Sequence, residues 1–380
     1  MQAQWVTQPE EFGATDLAQW RTLAIQQGRP YCLPEWMLAW WRHAAPADAE
    51  FRVLILREGD VLVGVGPFFL HRRFGLRHLR FLGAGTSSTV APLVKDGARP
   101  YLAAAIRELM FTEHVADVVM LEGIPADERW LDEIGGTGSQ HEPKLHLLHG
   151  WTQANPKLNL SEEGFDQWFH AKGGKFRARM RRGQRKLQSL GGQHVLSTGG
   201  GDFAVPLSEF ERLHMLRWKS RGGSGVLSTA VSNMLADFAA SSPSNLRIWA
   251  VEVDGRTVSV QVFVTAGGTV SHWLGGIDDS FTEVHPGAGV LSLYSAIEHA
   301  WKSADRIFDF GSGGQEFKYQ FADREYQLEW SGAARARWCM VAARLPILRE
   351  QTLLAVAGRL PSGSKRRLRR LQKRIRRVFG

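Results

Sequence analysis

The chain has 380 residues, 44% of them apolar, which is enough to build two domains with separate cores and excludes a largely disordered polypeptide. Its formal charge is +9, but nine of its 47 Lys and Arg lie between Pro361 and Gly380, where there is no acid, leaving 38 cations against 38 acids elsewhere. A neutral body with a basic tail argues against a protein that coats nucleic acid over its whole surface. Two cysteines, Cys32 and Cys339, exclude a disulfide framework and lack the spacing of a metal site. Met1 to Glu10 has no basic segment followed by an apolar one, and the longest apolar stretch, Val61 to Leu70, is interrupted by Pro67 and is about half a bilayer span. The expectation is a cytoplasmic protein, peripheral on the inner membrane face.

Thr15 or Asp16 caps a helix that runs to about Gln27, with Leu17, Trp20, Leu23 and Ala24 on one face, and a second helix follows Pro34. Phe51 to Leu56 and Val61 to Leu70, joined by Arg57-Glu58-Gly59-Asp60, read as a β-hairpin. Arg72, Arg73, Arg77 and Arg80 mark a basic hairpin loop beyond it. A small-residue loop (Phe81 to Ser88), a helix near Tyr101 to His114 and a strand at Val118 to Glu122 complete the first half, and Gly135 to Pro156 reads as a turn-rich linker. The second half begins with helices at Phe165 to Leu190, Pro206 to Arg221 and Val231 to Ser241. A three-strand meander follows (Leu246 to Val253, Arg256 to Thr265, Thr269 to Ile277), then a helix from about Gly289 to Ser303. A strand at Arg306 to Phe310, a short helix near Gln315 to Phe321 and a strand at Tyr326 to Trp330 close it. Antiparallel strands leading into one crossover helix and a further strand predict an α/β (α+β) class, and the repeated order predicts two modules, 1–150 and 151–335, with a helical extension at 336–380.

The segment with most mechanism in it is Gly275-Gly276-Ile277-Asp278, then His285-Pro286-Gly287-Ala288-Gly289-Val290-Leu291, then a helix. Glycines at a strand end tolerate a bulge and close backbone approach. Glycines before a helix leave its free amides open to an anion, which the helix dipole also favours. The bland alternative is a Pro-Gly turn and a tight helix start.

Trp273-Leu274-Gly275-Gly276-Ile277-Asp278, the Pro286 to Leu291 helix start, and Phe308-Asp309-Phe310-Gly311 followed by Glu316-Phe317-Lys318-Tyr319-Gln320-Phe321 resemble the C-terminal module of the GNAT superfamily, in its CelD/BcsL-like and FemAB-like branch. Pro34-Glu35-Trp36, Trp40-Trp41, the basic helix Lys175 to Leu190 and Leu216-Arg217-Trp218 share that likeness, which runs over residues 10 to 330. The resemblance implies two tandem GNAT-like modules, each a mixed, mainly antiparallel sheet flanked by helices, with an acyl donor (acetyl-CoA or another acyl-CoA) bound by the second and no metal. It places the pantetheine strand at Leu274, Gly275, Gly276 and Ile277 and the pyrophosphate loop at Gly287, Ala288 and Gly289. Val284 stands where the family's loop begins with Gln or Arg.

Acyl transfer to an amine or hydroxyl needs a proton acceptor, polarisation of the carbonyl and a proton for the leaving group. Asp278, Asp279, Glu283, His272, His285 and Asp309 are candidate bases, with Asp309 and Asp278 preferred; for each the plainer reading, a solvated turn acid or a strand-end hydrogen-bonding group, comes ahead of catalysis. Lys318 with Tyr319 follows the last crossover, where the phenol serves as an acid or the lysine holds substrate. Lys172 to Lys186 carries eight basic residues with no acid between Asp166 and Asp202. Lys175, Arg179 and Arg182 from it, with Arg217 and Trp218, are candidate contacts to CoA phosphates, an anionic sugar or tRNA, against the alternative of a solvated face.

In the tail, Leu368, Leu371, Ile375 and Val378 form a helical stripe among nine cations, which predicts an interfacial helix on an anionic membrane at about 1 kcal/mol per charge. An RNA-binding arm, a partner helix and a disordered basic extension are the alternatives. The expected function is an acyltransferase, most simply an acetyltransferase, acting on a small molecule or glycan precursor of the cell envelope or a polysaccharide. A FemAB-like aminoacyl-tRNA-dependent transferase and a non-catalytic membrane-associated module with a vestigial donor site are the competing readings, and nucleic acid enters only as tRNA.

Overall fold

The computed structural model describes residues 1–111, 113–136, 145–160, 163–219, 223–341 and 344. The chain divides into two units, residues 1–27, 31–153 and 327–380 forming one, and 28–30 with 154–326 the other. The expected extension at 336–380 is described only at its start, where 337–341 is helical. The tail and its apolar stripe lie outside the described residues. Among the described residues no helix is long and apolar enough to cross a membrane.

The first unit opens with β1 (Gln2–Val6), α1 (Ala14–Gln26), α2 (Pro34–Ala44), β2 (Glu50–Glu58), β3 (Val61–Arg73) and β4 (Leu76–Phe81). It continues with β5 (Leu93–Val94), α3 (Arg99–Phe111), β6 (Val118–Pro125), α4 (Trp130–Gly135) and the start of β7 (His146–Asn159). Asp16 closes the first turn of α1 by accepting from the Gly13 amide at 3.2 Å. Pro34 opens α2 at a position where its missing N–H is not needed. The two helices bury Trp20, Trp36 and Trp40, and the indoles of Trp20 and Trp36 donate to the Cys32 carbonyl and Ser87 Oγ at 2.9 Å each. Strands β1 to β4 form an antiparallel meander, while β4 and β6 run parallel through only two pairs, His78 with Val118 and Leu79 with Val119.

The second unit contains the end of β7, then α5 (Gly164–Ala171), α6 (Gly174–Ser189), β8 (Gln193–Thr198), α7 (Ala204–Lys219) and α8 (Thr229–Ser241). After them come β9 (Leu246–Val253), β10 (Arg256–Ala266), β11 (Thr269–Ile277), α9 (Ala288–Lys302), β12 (Ile307–Asp309), α10 (Glu316–Tyr319) and β13 (Arg324–Ala334). Residues 154–159 of β7 start a sheet ordered β7, β12, β11, β10, β9, β8, in which only β11 and β12 are parallel. Strand β13 returns to the first unit, where Leu328–Ala334 pairs antiparallel with β6. Both sheets are thus mixed and mainly antiparallel, as expected.

Two expectations change, and one strand is additional. The helix read as Phe165 to Leu190 is two helices, because Gly173 adopts extended backbone (φ −56°, ψ 146°) before α6. His146–Asn159 is a strand, although turn residues predict a linker as far as Pro156; β7 has β13 as one neighbour and pairs with β12 through Lys157–Asn159, long-range partners that local composition does not show. β8 follows Gly191-Gly192 and pairs with β9, although its own residues are only partly covered.

Candidate active site

Strand β11 pairs with β10 along its whole length, with an extra residue at Trp273, since Val262 faces Leu274 while Phe263 faces His272. On its other side β11 pairs with β12 only from Thr269 to Ser271. Among the described residues that edge has no strand partner from His272 to Ile277, so two parallel strands fork and leave backbone groups available to an extended ligand. In the first unit the corresponding parallel pair, β4 and β6, is bridged just past its last rung by Arg80 and Glu122, whose two bonds are both 2.9 Å. A bidentate ion pair fills that fork. The second unit's fork has His272, Lys318 and the Gly311 backbone around it instead.

The four expected donor-strand residues all lie on this edge, although the glycines also have packing roles. A Cβ on Gly276 would lie 2.7 Å from Leu213 Cβ and 2.8 Å from the His214 amide, so α7 rests directly on the strand. His214, in α7, then fixes the edge: Nδ1–H donates to the Gly275 carbonyl at 3.0 Å and Nε2 accepts from Ser224 Oγ at 2.9 Å. Ser224 Oγ in turn accepts from the Leu227 amide at 2.8 Å. Burial holds the His214 pKa below its ordinary value, which keeps this neutral tautomer.

At the open end of the fork, Gly287 caps α9 with φ +111°, a conformation that L side chains rarely adopt, and its carbonyl accepts from the Val290 and Leu291 amides at 3.1 and 3.2 Å. Ala288 and Gly289 hold the first-turn amides that have no intrahelical partner. Val284 is 3% exposed and belongs to the core with Leu291, so the departure from the family's loop pattern is a core substitution. Helix α6 sits on the same loop: a Cβ on Gly183 would be 2.7 Å from the His285 carbonyl oxygen. Gln184 and Ser295, 3.0 Å apart, share His194, whose Nδ1 accepts from the Trp249 indole at 3.2 Å, and this ties α6 to α9. Burial pushes the His194 pKa down to about 4.

At the closed end, Lys318 is 4% exposed and donates to the Gly311 and Ser312 carbonyls at 2.8 and 2.9 Å. Burial pulls its pKa down to about 8, with Asp309 opposing the drop. Asp309 accepts from the Gly311 amide at 2.8 Å and faces Lys157 Nζ at 3.5 Å. The Asn155 amide nitrogen, turned toward its acceptors, bridges Asp309 and the Gly311 carbonyl at 3.0 Å each. His272, the first residue past the fork, meets Gln261 Oε1 at 2.9 Å, and its pKa is held down to about 3 by desolvation and then by the Lys318 charge.

The remaining expected residues fall elsewhere. Asp278 is buried in the turn after β11, where Ser280, through its amide and hydroxyl (3.0 and 2.5 Å), and Arg256 engage its oxygens. These bonds lower its pKa, so it is a turn-closing anion poorly suited to be a base. Tyr319 is 43% exposed and its hydroxyl donates to Glu325, which leaves only Lys318 of that pair facing inward. Arg179 bonds Gln320 at 2.6 Å, while Lys175 and Arg182 are exposed on α6. Arg217 and Trp218 end α7, with the Trp218 ring 6.0 Å from His214. Asn155, Lys157, Gln261 and His214 are site neighbours the sequence reading missed. Asn155 sits in the stretch taken as a linker and Lys157 just after it, and no local pattern marks the other two. Among the described residues no group of three His, Cys, Asp or Glu gathers to hold a metal ion.

A mixed sheet with a forked parallel pair and a glycine-capped helix is the GNAT-like fold, and residues 174–319 match the family model described as an acetyltransferase (GNAT) domain. Solved structures extend the likeness. The C-terminal domain of a protein described as a lysylphosphatidylglycerol synthetase, from Agrobacterium fabrum, superposes with TM-score 0.59 at 11% identity, covering 90% of this chain and 96% of that one. FemX superposes with TM-score 0.57 at 10% identity over 88% and 97% of the two chains. L-PGS from Bacillus licheniformis gives TM-score 0.50 at 10% identity over 83% and 96%. No curated protein matches the chain in sequence.

Proposed function

We propose that the chain is an acyl or aminoacyl transferase whose second unit seats the donor along the open edge of β11 and against the first turn of α9. The acceptor is an amine or hydroxyl of a cell-envelope or polysaccharide precursor, consistent with the CelD/BcsL-like pattern of the sequence. The observation that carries this reading is the fork: a strand edge with no strand partner among the described residues from His272 to Ile277, anion-ready amides at Ala288 and Gly289, and a buried ammonium at Lys318. These residues fit an acyl-CoA, which supplies the thioester; the strand edge takes an extended amide arm and the helix start takes phosphate. Lys318, with two N–H groups fixed on carbonyls, offers the third to the oxyanion that develops on the acyl carbonyl, and Asp309 helps to keep it protonated. Residues 361–380 bring the protein to an anionic membrane. Calorimetric titration with acetyl-CoA tests the donor: saturable binding supports an acyl-CoA transferase, and no heat at millimolar acetyl-CoA with folded protein rejects it.

One observation favours a second donor. Among the described residues, Lys175, Arg177, Arg181, Arg182, Arg185 and Lys186 of α6 make no ion pair with a carboxylate, and α6 sits on the loop that begins α9. An unneutralised basic helix there suits a polyanionic donor, in the manner of FemAB-like transfer from aminoacyl-tRNA. That reading predicts tRNA binding that falls with salt and is lost on charge reversal of α6.

A further inference from the structure

The first unit exposes a patch that the transfer chemistry does not use. The β3–β4 hairpin turns at Phe74, which takes φ +52° and is 47% exposed, with the Arg73 guanidinium 5.3 Å from its ring centre and Arg72 exposed beside it. Two residues on, Leu76 is buried in a small core with Val118, Leu148, Ala334 and Cys339, and Met340 packs against it. Cys339 and Met340 belong to the helical turn 337–341, which also carries Trp338 (61% exposed) and Val341 (60% exposed). Arg337 and Arg344 are exposed on the same segment. Asp117, an acid at the edge of this core, is already bonded to the Arg77 amide (2.9 Å) and to Arg335 Nη2 (2.7 Å). Two aromatic rings and a valine therefore stand in solvent among arginines, on two segments joined through one core.

We propose that this face docks on an anionic bilayer surface, with Phe74 and Trp338 entering the headgroup region and the neighbouring arginines meeting lipid phosphates. The inference builds on the membrane reading of residues 361–380 but stands on folded residues. Aromatic rings flanked by cations of one sign suit the membrane interface, where rings sit at headgroup level and arginines meet phosphates; Trp, Phe and Arg also mark protein interfaces, and the oligomeric state in solution separates the two. The chain beyond Arg344 leads into a segment with nine cations and no acid, so further attraction of the same sign follows this face in sequence.

The test is co-sedimentation of the full-length protein with phosphatidylglycerol-containing and pure phosphatidylcholine vesicles. Wild type binds only the anionic vesicles. The double variant Phe74→Ala, Trp338→Ala loses about tenfold in affinity, while Phe74→Trp, Trp338→Phe retains it, and thermal unfolding stays unchanged because both side chains are exposed. Replacing the tail cations with Gln reduces binding separately, so a weakened tail variant beside an unaffected alanine double variant overturns this inference and leaves the tail reading standing. Equal binding to neutral vesicles overturns the inference, as does absence of binding by wild type. A solution dimer that the alanine double variant dissolves assigns the patch to a second copy instead and also overturns it.

Discussion

Replacing Lys318 with Met separates a functional ammonium from a structural one. The fall of its pKa from 10.5 to about 8 means that holding the charge in the folded state costs about 3 kcal/mol at neutral pH relative to a neutral amine. Methionine removes that cost and also removes the donors to the Gly311 and Ser312 carbonyls, at about 1 to 3 kcal/mol each. The two effects largely offset, so the variant is expected to lie within about 3 kcal/mol of wild type at pH 7, and the pH dependence is the sharper readout. The pH dependence carries the sign. Between pH 8 and 10.5 the unfolded chain holds a proton that the folded chain has released, so wild-type stability rises across that window by about 3 kcal/mol. In Lys318→Met the rise disappears. Transfer activity falls at least about 100-fold in the variant, and in wild type it declines as pH passes about 8 and the ammonium loses its proton. Urea unfolding from pH 7 to 10.5, with turnover measured in parallel, checks both. A variant that is less stable at pH 7 yet fully active would refute the assignment and make Lys318 a loop clamp.

Three further outcomes follow from the same contacts. Gly183→Ala drives a methyl into the His285 carbonyl and should cost about 1 to 3 kcal/mol and lower donor affinity, read by thermal unfolding and calorimetry; an unchanged Tm would show that α6 does not rest on the loop. His78 and His194, both held down to about 4, are neutral when folded but take protons when unfolded below pH 6.5, so stability should fall as pH drops from 6.5 to 4. Denaturation midpoints at pH 7 and 5 check this, and His194→Leu should flatten the slope while loosening α6. Reversing Arg182 and Lys186 to Glu should leave stability within about 0.5 kcal/mol and weaken phosphate-bearing ligands, measured by the salt dependence of binding.

The meander, the crossover helix and the glycine segment were legible because period-two apolar strands, turn dipeptides and a Pro-Gly helix start are local signals. The strand at 146–159 was not, since its neighbours β13 and β12 come far later in the chain and its own residues include Gly150 and Pro156. The site divides the same way. Lys318 follows a recognisable strand and turn, whereas Lys157 meets Asp309 through the ladder that joins β7 to β12, and Asn155 reaches it by its side chain from two residues before that ladder. Asp278 looked equivalent to Asp309 in sequence; only the structure shows Arg256 and Ser280 engaging it. Glycines 275 and 276 carried a ligand signal and a packing role at once, and spacing alone does not separate the two.

The most direct measurement of the central claim is a backbone amide NMR titration of the full-length protein with acetyl-CoA. The account predicts saturable shifts concentrated at Leu274 to Ile277, Ala288, Gly289 and Gly311, with the β4–β6 fork of the first unit unmoved. Saturable shifts that leave Leu274 to Ile277 and Ala288 to Gly289 untouched would contradict the placement of the donor in the second unit's fork.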